Sequence, residues 1–269
     1  LCCQILDLQP DHLDALRELG EAYFESPGRS WERTFDGAFL LDRYLTLERR
    51  GDTRSRRARE LLVALAPLRE PPDAITTQYA RSALASAREG GDGRDDAEQA
   101  LLRRPFLESA HLALALSLLH PVRRAGGDPT GLGPAMRGFD RLLRAYPENW
   151  GGRAGRAEAR LLAGDFDGAL ADARLAFDGD RTLDRPALIT GRAHLKRGDV
   201  ADALAAFQSA FSRRPSAEAL VWQAEAHTRL GQYAAARGLI DHDLQGLLVP
   251  DELRDHLERL RETLGTDPR

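Results

Sequence analysis

The sequence predicts an all-α protein assembled from stacked helix hairpins, and three observations predict it. Three similar segments carry a Gly at the same point, Gly164, Gly198 and Gly231, spaced 34 and then 33 residues apart. Ala, Leu and Arg dominate while aromatics are 6% of the residues, which favours helix because sheets prefer β-branched and aromatic side chains. Apolar residues also recur at helical spacing along most of the chain. With 269 residues and 42% apolar content, the chain can bury a sizeable core and is not disordered throughout.

From the N-terminus, Leu1 to Asp7 reads as the end of a helix and Asp14 to Tyr23 as the next one. Trp31 to Leu102 reads as helical, with apolar spacing in Phe39 to Leu47, Leu61 to Leu68 and Ile75 to Ala87, and with breaks at Gly51, Pro71-Pro72 and Gly90-Gly91. One helix is left over however these are paired, so one unit is degenerate or one helix is extra. Phe106 to Leu119 and Ala135 to Tyr146 form a further pair, separated by an enlarged loop, Pro121 to Pro134, rich in Gly and Pro. Three regular hairpins follow over 148–249. In each, a first helix ends near Gly164, Gly198 or Gly231, a residue that tolerates the left-handed conformation of a helix end. Small residues such as Ala157, Ala169, Gly191, Ala203, Ala224 and Ala236 let helices approach, and Phe166, Leu170, Leu204, Phe207 and Tyr233 fill the space around them. Pro250 then opens a last helix over 250–264, whose Leu253, Leu257, Leu260 and Leu264 form one stripe and cap the final hairpin. The expected organisation is a single solenoid over 1–269, with divergent helical repeats over 1–104 and a repeat with an enlarged loop over 105–147.

The order small residue, aromatic or Leu, Gly-Asp, aromatic, Ala, aromatic, Ala, Pro resembles the tetratricopeptide repeat (TPR) family, most clearly over residues 147–248. Gly20 and Tyr23 fall in the family's places too. The resemblance implies a right-handed superhelical solenoid whose concave face is lined by the first helix of each unit. It also implies a salt bridge between Arg156 and Asp172, at places where the family often pairs Arg with Asp; the next unit has Thr190 and Ala206 there, losing both charges together.

Carrying the family's groove positions over places Ala154, Glu158 and Leu161 on that face, then Arg185, Leu188, Arg192, Leu195 and Lys196, then Glu218, Trp222, Glu225, Thr228 and Arg229, with Arg17, Glu21 and Phe24 from the earlier unit. The partner-binding residues this implies are Glu158, Arg185, Arg192, Lys196, Trp222, Glu225 and Arg229. Trp222 would supply an apolar anchor, and Arg192, Lys196 and Arg229 a cationic clamp for an acidic group. The competing assignment packs Trp222 in a seam between helices and leaves the charges as a solvated face. The family's Asn-containing clamp for chaperone tails has no counterpart, since Asn149 is the sole asparagine.

Other chemistry finds little support. The formal net charge of -4 and a pI near 6.0 lack the basic excess that a phosphate backbone demands, so no nucleic-acid partner is expected. Cys2 and Cys3 are adjacent and fit neither a disulfide framework nor a metal spacing. The seven histidines are scattered, and His194 and His227 read as packed residues with one hydrogen bond each rather than ligands. Asp178 to Asp184 faintly resembles a calcium loop but lacks its bidentate Glu. Arg-Gly-Asp occurs at Arg50 to Asp52 and at Arg197 to Asp199, the second being a helix end and turn, and Gly131 to Gly133 is too short for a phosphate loop. No metal, cofactor or catalytic residue is expected.

The sequence therefore points to a non-catalytic scaffold that binds a protein or peptide partner on its concave face. Lys196 is the sole lysine among many arginines, coding usage of a GC-rich bacterial genome, and no apolar run approaches the roughly 20 residues of a membrane span; a cytoplasmic location is expected. The alternative is the regulatory repeat region of a larger enzyme such as a protein kinase or transferase, because the chain starts in mid-repeat without Met. A third reading, an enzyme using the loop Pro121 to Pro134 as a lid, requires a pocket with convergent polar groups.

Overall fold

The structure, a computed structural model, describes residues 1–25, 30–48, 53–88, 91–124 and 131–265. The breaks assigned to Gly51 and Gly90, the Arg-Gly-Asp of Arg50 to Asp52 and the middle of the Pro121 to Pro134 loop lie outside them. Every regular element among the described residues is a helix, as the composition predicts. The chain divides into two compact units, Leu1–Ser117 and Leu118–Arg269.

The first unit contains α1 (Cys2–Leu8), α2 (Leu13–Glu25), α3 (Trp31–Leu47), α4 (Thr53–Ala64), the single turn α5 (Ala66–Arg69), α6 (Ala74–Arg88), α7 (Arg94–Arg103) and the start of α8 (Glu108–Arg124). Helices α2 and α3 pair into one hairpin and α6 and α7 into another. Helix α4 packs beside the first hairpin, where Leu16, Leu41, Tyr44 and Ala58 share a core. Gly20 lies so close to Leu41 that a side chain there would displace it, which explains the small residue read from the sequence. Phe35 is fully buried against Phe39, Phe106 and His111, and the His111 ring holds the Pro105 carbonyl at 2.7 Å.

The second unit continues from α8 through α9 (Leu132–Ala145), α10 (Trp150–Leu162), α11 (Phe166–Gly179), α12 (Arg185–Arg197), α13 (Val200–Arg213), α14 (Ala217–Arg229), α15 (Tyr233–Gly238) and α16 (Asp251–Gly265). The pairs α10/α11, α12/α13 and α14/α15 are successive hairpins, each packed on the next. Their turns close in the same way. Gly164, Gly198 and Gly231 have φ of 81°, 90° and 73°, and the following residue's N–H reaches back to the carbonyls of Arg160, His194 and His227 at 2.9 Å each time, a Schellman-type helix end. Ala157, Ala169, Ala203, Ala224 and Ala236 are completely buried, and Gly191 accommodates the Phe207 ring where a β-carbon would collide.

Two boundaries differ from the expectation. Helix α8 runs on through Pro121 to Arg124 and α9 starts at Leu132, so both ends of the segment expected to be irregular are helical. The Pro121 ring is exposed, whereas Leu119, His120 and Val122 are buried; burying these side chains offsets the hydrogen bond that Pro cannot donate. In the last hairpin, α15 gives way after one and a half turns to a π-helical segment, Leu239–Asp243, in which the Leu244 N–H bonds Leu239 O at 3.0 Å.

Candidate functional site on the first-helix face

The sides of α10, α12 and α14 that carry the family's groove positions are mostly buried or half-buried, because Arg123 of α8 and His256 of α16 reach onto them. Glu158 sits at the centre of this face with a side chain only 4% exposed. Its carboxylate receives Arg185 from α12 through Nε (3.1 Å) and Nη2 (2.5 Å), Arg123 from α8 through Nε (3.1 Å) and Arg192 from α12 through Nη1 (3.5 Å). Burial alone would raise the Glu158 pKa, but the guanidiniums, Arg185 foremost and then Arg123 and Arg192, hold it far below the ordinary carboxylate range. Arg185 also donates to Glu218 of α14 at 2.8 Å, and Arg123 to Glu252 of α16 at 3.2 Å. The network thus ties α10 to α8 and α12 through one buried anion, and those arginines extend it to α14 and α16 through Glu218 and Glu252.

Next to it, Arg192 lies 5.3 Å from the centre of the Trp222 ring, in the range of a cation–π contact. Trp222 is half-buried: Phe207 stacks 6.1 Å from it at 19° and His256 of α16 covers it at 4.8 Å. His256 Nε2 stands 3.7 Å from Glu225, which also pairs with Arg229 at 2.5 Å; Arg229 Nη1 donates to Leu195 O at 3.2 Å. Burial lowers the pKa of Arg192, against the pull of Glu158, yet a guanidinium stays charged at any relevant pH. Lys196 is exposed.

The face therefore brings together Glu158, Arg185, Arg192, Trp222, Glu225 and Arg229, with Lys196 at its edge. Arg17 and Glu21 pair with each other at 3.1 Å in the first unit, where Phe24 joins the core. Sequence reasoning missed Arg123, Glu252 and His256. Arg123 lies beyond the proline at which the helix was expected to stop, and the Leu stripe of α16 told which side of that helix is buried without telling what its flank touches.

The paired charges expected in the first regular hairpin are present. Arg156 donates to both oxygens of Asp172, at 2.7 and 2.8 Å, and to Asp140 at 2.9 Å, and these partners raise its pKa, the Asp172 hydrogen bond most of all. His194 and His227 each face a polar partner, Asp199 at 3.4 Å and Gln232 at 2.6 Å. In the segment with calcium-loop character, the Asp180 carboxylate accepts from the Thr182 N–H and hydroxyl, a local turn. Among the described residues no His, Cys, Asp or Glu group is arranged to hold a metal, and no helix is long and apolar enough to cross a membrane.

Residues 190–241 match the tetratricopeptide repeat family. No curated protein matches the chain by sequence. Solved structures do match it by shape. A thermophilic TPR protein from Thermus thermophilus is 18% identical with a TM-score of 0.58, over 70% of this chain and 98% of that one. Human IFIT1, as a dimer with m7Gppp-AAAA, is 16% identical with a TM-score of 0.56, over 96% of this chain and 61% of its own. A tetratricopeptide repeat protein from Parabacteroides merdae is 16% identical with a TM-score of 0.54, over 98% and 96%. Hairpin geometry, the matched segment and these neighbours agree on an all-α helical-repeat fold, in which residues 190–241 match the tetratricopeptide repeat family.

Proposed function

We propose that the chain is a non-catalytic scaffold that binds a partner peptide or helix on the first-helix face of its second unit, through Glu158, Arg185, Arg192, Lys196, Trp222, Glu225 and Arg229. The observation that carries this reading is the position of Arg192. Among the described residues its one carboxylate contact is the 3.5 Å approach to Glu158, an anion already gripped more closely by Arg185 and Arg123. It retains donors for an incoming acceptor, and it stands over an indole that supplies apolar contact beside them. Lys196 and Arg229 add positive charge at the same edge, so the partner presents an acidic group next to an apolar side chain.

The overall charge of -4 argues for a protein rather than a nucleic-acid ligand, although the human neighbour was solved with a capped oligonucleotide. The arginine-rich, lysine-poor usage supports a bacterial source, and a cytoplasmic assembly is the setting this reading assumes. A photo-crosslinker placed at Lys196 tests it in cells of the source organism. One adduct should dominate, and it should disappear in an Arg192→Ala, Arg229→Ala variant whose circular dichroism and Tm match the parent. Adducts of equal yield in both would reject this face.

A further inference from the structure

On the opposite side of α12 the three hairpins can be compared place by place, because their turn glycines set a common register. In the first hairpin, the groove over α10 is filled by charge: Arg156 and Arg160 meet Asp172 at 2.7 and 3.0 Å, with Arg153 at 3.6 Å and Asp140 closing on Arg156. In the third, the places of Arg156 and Asp172 hold Gln223, which is buried and donates to Phe207 O, and Leu239, which packs on the core. In the middle hairpin the same places hold Thr190 and Ala206, Arg153 becomes Ala187, and Arg160 becomes His194. The second-helix row changes as well: Phe139 and Phe207 are both fully buried, but the residue between them in register is Ala173.

These truncations leave an open groove of about 420 Å³ between α11, α12 and α13, a volume within the range of roughly 300–1,000 Å³ that small-ligand sites occupy. Its walls are apolar: Leu170, Ala173, Phe177, Pro186, Ala187 and Ala206. Thr190 and Ser209 contribute hydroxyls and His194 a ring whose Nδ1 faces Asp199. None of the lining residues is acidic. Arg174, which takes the register place of Asp140, stands at the mouth with its side chain 84% exposed and a loose 3.8 Å approach to Asp178. A second guanidinium, Arg213, lies 4.2 Å over the Phe177 ring.

We propose that this groove is a binding site for a small hydrophobic carboxylic acid, its apolar group taking the place of the missing side chains and its carboxylate meeting Arg174 and the two hydroxyls. Apolar walls capped by a guanidinium call for an anion a few bonds from a hydrocarbon group. Within a polypeptide, its C-terminal residue aside, the atoms at that distance from a side-chain ring are amides, so a free acid fits better. The site lies on the side of α12 away from Arg192 and does not depend on the proposed partner face.

The probe is 3-phenylpropionate, with 3-phenylpropanamide as its neutral counterpart, titrated into the full chain and followed by amide NMR shifts. The acid should saturate with a Kd of order 1 mM, as ligand-efficiency bounds allow for so small a molecule, moving Thr190, His194 and Ala206. The amide should bind about two- to fivefold more weakly, the factor an exposed ion pair supplies, and Arg174→Gln should bring the acid down to the same level. Refilling the groove with the first hairpin's own pair, Thr190→Arg with Ala206→Asp, should abolish binding. Ala206→Leu, which copies the third hairpin, should do the same if the charged pair disturbs folding. No saturable shifts at these residues in the parent, or binding that survives in a folded refilled variant, overturns the proposal, and so does equal affinity for acid and amide.

Discussion

Substituting Gln for Glu158 keeps the shape of the side chain and removes the charge that Arg123, Arg185 and Arg192 share. Three cations would then face one another in a largely desolvated place, and losing one member of a buried ion pair costs about 3–5 kcal/mol. Glu158→Gln should therefore lower the urea midpoint markedly, whereas Glu218→Gln should cost less, because Arg185 keeps its two contacts to Glu158. Equal, small effects of both would show that the network carries no such weight. Because the Glu158 pKa is depressed in the fold, its contribution is complete above the unfolded value and is lost only as pH falls through the much lower folded one. His256 works at milder pH with the opposite chemistry. Burial lowers its pKa from 6.5, with Arg259, Arg229 and Lys196 in the same direction and Glu225 opposing. The fold thus favours neutral imidazole, and stability should decline as pH drops below about 6.5, where the unfolded chain takes up the proton first. His256→Gln should flatten Tm between about pH 6.5 and pH 5; an unchanged slope would assign that decline to other groups.

Among the elements, the hairpin turns were the most legible, for a physical reason. Gly164, Gly198 and Gly231 hold φ between 73° and 90°, a region that costs a residue with a β-carbon about 1–2 kcal/mol, so the turn chemistry is written into the residue type. Gly198→Ala should lose about that much in denaturant unfolding, and since no atom lies within 4 Å of its would-be β-carbon, the loss would be backbone strain alone. A neutral substitution would mean the turn relaxes to another conformation. Elements decided by tertiary burial were not legible in this way. The continuation of α8 through Pro121 depends on Leu119, His120 and Val122 being covered, which no local rule expresses. The π-helical turn after Gly238 turns on Leu239, Ile240 and Leu244 packing against the same core as the α16 leucines, while Arg237 donates to the Leu264 carbonyl at 3.2 Å.

At the scale of the whole molecule, the repeat period and the small-residue places were enough to reach the fold class, because each hairpin obeys the same local arithmetic. The candidate site was legible only as a face: Glu158, Arg185, Arg192 and Trp222 could be placed on it, but not their burial, because Arg123 and His256 come from helices outside the three regular hairpins. A stack in which each hairpin leans on the next also has a definite weak end. Stability in such arrays is a sum of local terms and neighbour interfaces, so the terminal hairpin opens first unless it is covered. Here α16 packs on that hairpin, with Leu257, Leu260 and Leu264 buried against Leu220, Val221, Ala236 and Ile240. Leu257→Ala with Leu260→Ala removes the centre of that contact, and core truncations of this kind cost about 2–5 kcal/mol each. Hydrogen exchange should then rise sharply in α14 and α15, less in α13 and least in α10. The first unit keeps its own core around Leu16, Leu41 and Tyr44, so α2 and α3 should exchange as in the parent. Uniform acceleration from α2 to α15 would instead show that the chain opens as one cooperative body, and the nearest-neighbour account of this array would fall.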